Sequence, residues 1–98
     1  MFFNLRFDAI AREQLQELEN NPSFKRILKD VRKALGWMQI DLKHPSLNTH
    51  EFHDFRGRQG EKVFESYAQH KTPGAYRILW HYGPEKGLIT ILLIIPHP

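Results

Sequence analysis

An apolar run near the C-terminus with one threonine inside it, Leu88-Ile89-Thr90-Ile91-Leu92-Leu93-Ile94-Ile95, restricts the folds open to this chain more than any other feature. It is far shorter than the roughly 20 residues a membrane-spanning helix requires. It is also apolar at both odd and even positions, which a strand with one face in water cannot sustain, so it reads as a central strand covered on each side. The preceding run, Ala75-Tyr76-Arg77-Ile78-Leu79-Trp80-His81-Tyr82, is separated from it by Gly83-Pro84-Glu85-Lys86-Gly87. Two β-rich runs around a Gly/Pro turn form a hairpin. Successive strand side chains point to opposite faces. Tyr76, Ile78, Trp80 and Tyr82 therefore share one face, and Arg77, Leu79 and His81 the other. A guanidinium and an imidazole in mid-sheet, opposite the aromatic face, are the first candidates for chemistry.

The rest of the chain supplies layers for that hairpin. Met1 to Phe7 alternates, with Phe3, Leu5 and Phe7 on one face, and predicts a first strand. Asp8 is expected to cap a helix with its side chain, and Ala11, Leu15 and Leu18 form the buried stripe of that helix. Asn20-Asn21-Pro22 ends it, because proline restricts the residue before it and has no N–H to give. A second helix is predicted from Pro22-Ser23 to about Asp41, burying Phe24, Ile27, Leu28, Val31, Ala34, Leu35 and Met38. Lys25, Arg26, Lys29, Arg32 and Lys33 cover its remaining circumference, where a solvated surface is the ordinary reading. Leu42 to Gly60 reads as a loop, long enough to suggest a function. Glu61 to Ala68 alternates again and reads as a strand. The expected fold is α+β: two N-terminal helices on one face of a four-stranded, mostly antiparallel sheet in the order β-α-α-β-β-β, with the first strand parallel to another and the opposite face less protected.

Bulk properties narrow the class. The 98 residues form one domain, 41% hydrophobic and 26% charged, as in an ordinary soluble globular protein. No cysteine is present, which removes disulfides, thiolate metal sites and thiol nucleophiles. The N-terminal residues lack the pattern of a secretory leader, so a cytoplasmic location without membrane attachment is expected. The formal charge of +3 favours polyanionic partners only weakly. His44, His50 and His53 fall near Glu51 and Asp54, but their spacing matches no zinc pattern, so neither a metal nor another cofactor is expected.

The element order, the segment Ala75-Tyr76-Arg77-Ile78-Leu79-Trp80 and the histidine after the last strand resemble the RelE/ParE superfamily of bacterial toxin–antitoxin modules. The resemblance implies a small basic toxin, monomeric or held in a hetero-oligomer by a cognate antitoxin. In the RelE branch such a toxin cleaves messenger RNA on the ribosome. There the tyrosine-preceded strand arginine is catalytic or binds phosphate, and Arg77 matches it. Basic residues on the preceding strand and loop also act in that branch, and Arg56, Arg58 and Lys62 are the nearest RNA-binding counterparts. His97 falls where several branches place a basic residue. Glu65, Ser66 and Tyr67 stand where that branch carries lysines, so two alternatives stay open: a ParE-like gyrase inhibitor, and an inactive module that keeps the scaffold for protein interaction.

RNA cleavage by side chains alone needs the 2′-hydroxyl deprotonated, the phosphorane's charge neutralised and the leaving 5′-oxygen protonated. A guanidinium suits the second task, since it stays charged and grips phosphate oxygens with a fork of donors. Imidazole suits the others. The catalytic candidates are therefore Arg77 for charge, His97 or His81 as acid or base, and Glu65 as a base if it faces the same cleft. The ordinary alternative for Arg77 is a cross-strand ion pair with Glu65 or Glu61. For Trp80 and Trp37 the ordinary reading is core.

Overall fold

The computed structural model describes residues 2–97. Met1, where the expected first strand begins, and Pro98 lie outside the described residues. The first strand, β1 (Asn4–Phe7), leads into α1 (Ala9–Asn20). Asp8 occupies the N-cap position, but its carboxylate takes the Arg6 guanidinium at 3.2 Å and makes no capping bond. This corrects the expected side-chain cap. Asn21 then accepts from the backbone N–H and hydroxyl of Ser23 at 3.0 and 2.7 Å, starting a 3₁₀ turn, Pro22–Phe24. Only after that turn does α2 (Lys25–Ile40) begin. Its apolar stripe buries Val31, Ala34, Leu35 and Met38 as the periodicity requires.

Among the described residues the sheet has five strands, not the four expected. Inside the segment expected to be loop, a 3₁₀ turn (Pro45–Leu47) buries Leu47, and β2 (His50–Phe52) pairs antiparallel with β3 (Val63–Tyr67). A three-residue edge strand of mixed polarity carries too little alternation to be read in advance. The hairpin is β4 (Tyr76–Tyr82) and β5 (Leu88–Pro96), and the strand order is β1-β5-β4-β3-β2, with β1 parallel to β5 and the other pairs antiparallel. Gly83 and Gly87 bound the hairpin turn with φ of 90° and 80°, a conformation that only glycine adopts at little cost.

Both helices lie on one face. Ala11, Leu18, Val31 and Met38 meet Ile78, Trp80, Ile89 and Ile91 there in a single core. β1 stops opposite Ile91, and beyond its end the Gln14 side chain of α1 takes the N–H of Ile94 at 2.7 Å. The apolar run is central, as expected, but covered on one side only. Opposite the helices Leu92, Leu93 and Ile95 remain half-buried. A register shift between Leu79 and Trp80 pairs Leu79 with Leu93 and Trp80 with Ile91, leaving Leu92 as the extra residue of a bulge. Among the described residues no helix is long and apolar enough to cross a membrane.

Candidate functional site

The helix-free face carries polar groups at both ends of β4. At the first end stands Arg77, opposite Tyr67 of β3 and Ile95 of β5. It is only 7% exposed. Its guanidinium carbon lies 3.5 Å from the centroid of the Tyr67 ring, and Nη1 donates to the Gln69 carbonyl, with longer contacts to the carbonyls of Ala75 and Tyr76 at 3.4 Å. Among the described residues all of its hydrogen bonds come from Nη1, and the buried Nε has no partner. No described carboxylate lies within ion-pair distance. The cross-strand pair offered as the ordinary reading is thus absent, because both carboxylates are engaged elsewhere. Burying a guanidinium costs several kcal/mol. A cation–π contact returns about 2 kcal/mol when desolvated, and the carbonyl bond adds about 1–2 kcal/mol.

Around Tyr67 the other groups gather. The His50 ring meets it edge-on at 5.8 Å and the His70 ring at 5.3 Å. His50 Nε2 lies 2.8 Å from Oε1 of Glu65, and its Nδ1 donates to the Asn48 carbonyl at 2.9 Å. A carbonyl oxygen at Nδ1 and a carboxylate at Nε2 together fix the orientation of the ring. Glu65 does face the same side as Arg77, yet it is 8% exposed and acts on its surroundings through His50. The backbone N–H of His97 donates to Ala75 at 2.8 Å, which puts that exposed residue at the same end of the sheet.

His81 occupies the other end, four residues from Arg77 and about 13 Å away along the strand. It is 5% exposed, with Nδ1 donating to the Tyr82 carbonyl at 2.8 Å and Nε2 3.9 Å from Glu61. The segment 53–62 folds over it: a Cβ on Gly57 would collide with the Glu61 carboxylate and approach His81 Cδ2 to 3.1 Å. Arg6, Arg58, Glu61 and His81 line a cavity of about 430 Å³ there. Arg56 and Lys62 are exposed in the same segment. The structure thus divides the expected set, with Arg77, Glu65 and His97 at one end and His81 with the loop cations at the other.

Glu61 has its carboxyl held below the ordinary value of 4.5 by its own backbone N–H first, then by the Gln59 N–H, with weaker pulls from His81 and Arg6. A carboxyl lowered on folding stabilises the fold fully above its ordinary value, and the contribution drains away as pH falls through the lowered one. Replacing Glu61→Gln is therefore expected to lower stability near neutral pH, where the carboxylate contributes fully, and to flatten the acid side of the profile so that the two proteins converge at low pH. Urea midpoints measured from neutral pH downward check this; an unchanged acid slope would refute it.

No family model and no curated protein matches the sequence. Among solved structures, the YoeB dimer from Staphylococcus aureus matches with a TM-score of 0.65 at 14% identity, covering 100% of both chains. The archaeal RelE–RelB complex from Pyrococcus horikoshii OT3 matches at 0.65 and 12% identity, covering 98% of this chain and 96% of that one. The chain has the RelE toxin fold. On this RelE fold the arginine singled out from the sequence stands on the helix-free face. Sequence reasoning passed over His50, Tyr67 and His70 as its neighbours. The available signal was the register that sets His50 beside Glu65 and Tyr67 beside Arg77, and it required the position of a strand too short to recognise. His44, weighed with His50 and His53 as a metal ligand, instead stacks on Trp37 at 3.8 Å and takes the Ser46 N–H at 3.1 Å. His53 pairs with Glu51 at 3.4 Å.

Proposed function

We propose that this RelE-fold chain is the toxin of a toxin–antitoxin pair and acts as an endonuclease on messenger RNA at the ribosome. The observation that carries this reading is a buried guanidinium on the helix-free face that, among the described residues, has no carboxylate partner and whose Nε and Nη2 make no hydrogen bond. That pair is the fork that grips a phosphate. A phosphodiester drawn to it would supply the missing counter-charge, and the fork would neutralise the phosphorane in a site that excludes water. A phosphate reaches it only after the side chains that cover Arg77 turn aside.

Proton transfer falls to the imidazoles at the same end. His50, oriented by Glu65, is assigned protonation of the leaving 5′-oxygen, and His97 the 2′-hydroxyl. Arg58 and Lys62 are assigned flanking phosphates, with Arg56 beside them. His81, buried at the far end, is assigned to holding the 53–62 segment through Glu61. Resemblance to a RelE found in complex with RelB supports an antitoxin partner. The gyrase-inhibitor reading has no observation specific to it, whereas the open donors of Arg77 are of the kind a phosphate uses. Expression in bacteria with mapping of transcript ends tests the proposal. New ends inside translated messages are expected. Growth arrest with intact messages and a DNA-damage response would overturn it in favour of gyrase.

A further inference from the structure

A groove of about 770 Å³ runs along the edge of the sheet beside the Arg77 cluster. β2 pairs with β3 only as far as Glu65, so no strand lies outside Tyr67 and the turn that follows. One wall of the groove is that free edge, from Tyr67 to Thr72. The other is a stripe of α2 at helical spacing: Arg26, Asp30, Lys33 and Trp37. Arg26, Lys33 and Lys71 are exposed cations, and Asp30 is the carboxylate among the lining residues. With His44 and His70 neutral the lining carries a net charge of +2, three cations against one carboxylate. Asp30 is already engaged, accepting from Gln69 Nε2 at 3.0 Å. Its partner Gln69 also accepts the Tyr76 N–H and, through its carbonyl, Arg77 Nη1. At the far end Trp37 and His44 lie nearly parallel, 18° apart and stacked.

We infer that this groove holds the single-stranded RNA adjoining the bond to be cut, with phosphates at Arg26, Lys33 and Lys71 and a base against the Trp37–His44 pair. The inference rests on the nuclease reading. Alternating cations and aromatic faces along a channel are what single-stranded nucleic acid requires, because phosphates need charge and every base offers a ring to stack. Tyr67 joins the two places physically: it lines the groove and its ring also carries the Arg77 guanidinium. The basic face of α2, an ordinary solvated surface by sequence, thus becomes partly a binding wall.

The test uses a 2′-O-methylated single-stranded oligonucleotide, which cannot be cut, so binding is read independently of cleavage. Fluorescence anisotropy with the full chain is expected to show salt-dependent binding. The double variant Lys33→Glu, Lys71→Glu should weaken it on the order of 10-fold or more and lower the salt slope by about 1.4, roughly 0.7 for each phosphate contact on a single strand. Lys29→Glu with Lys86→Glu, two exposed cations outside the groove, should have far less effect. Binding should also quench Trp37 fluorescence, since Trp80 is fully buried. Equal weakening by both double variants, or no quenching, overturns the inference. Binding of polyglutamate but not of the oligonucleotide, lost in the Lys33/Lys71 variant, overturns it in favour of an acidic protein partner. Groove binding that persists while Arg77 variants still arrest growth would leave the groove standing and remove the nuclease reading.

Discussion

The Arg77→Lys variant is expected to remain folded and to lose RNA cleavage by about 10²–10³-fold, the usual consequence of removing a donor aimed at transition-state charge. Lysine keeps the positive charge but not the planar fork, and it cannot lie over the Tyr67 ring while also bonding the Gln69 carbonyl. The lost stacking and hydrogen bond should cost about 1–3 kcal/mol of stability. A domain of this size has roughly 5–15 kcal/mol in hand, so the chain stays folded at 25 °C and the two effects separate. Single-turnover cleavage on translating ribosomes, read beside a thermal melt, is the measurement. A folded variant that cuts at the parent rate would show that the guanidinium is structural and end the catalytic assignment.

Trp80→Ala should be the most destabilising single change in the core. Trp80 is fully buried, stacks on Phe64 at 5.0 Å and 26°, and meets Tyr82 edge-on at 4.9 Å. Its Nε1–H donates to the Ser66 hydroxyl at 2.9 Å, which in turn meets the hydroxyl of Thr49 at 2.7 Å. Truncating such a residue costs about 3–5 kcal/mol for the lost burial and the cavity left behind. At about 4–8 °C per kcal/mol in a domain of this length, Tm falls by at least about 12 °C. Trp80→Phe keeps most of the apolar volume and should cost far less, about 1–3 kcal/mol, part of it for the lost bond to Ser66, whose hydroxyl keeps Thr49 as a partner. Calorimetry on both variants checks the order. Equal Tm values for the two would mean that the Ser66 bond, not ring volume, carries this position.

How far the fold could be read in advance follows from which residues carry a period. The helical stripe from Val31 to Met38 repeats a pattern that fixes both its type and its buried side. The apolar run at Leu88 to Ile95 gave a strand and its inner place in the sheet but, having no alternation, not which single face the helices would cover. His50-Glu51-Phe52 repeats nothing: its strand exists because the edge of β3 is available to pair with it. Asp8 has the chemistry of a cap, but Arg6 two residues earlier competes for the same oxygen.

The site divides along the same line. Strand alternation alone places Arg77, Leu79 and His81 opposite the helices, since that follows from local backbone geometry. What each side chain then meets depends on residues distant in the chain. Register sets Arg77 over Tyr67 and brings His50 to Glu65, the folding of segment 53–62 closes over His81, and the early end of β2 leaves a cationic groove beside α2. Local chemistry selects the face a residue occupies, while its partners and burial come from contacts that exist only once the sheet has closed.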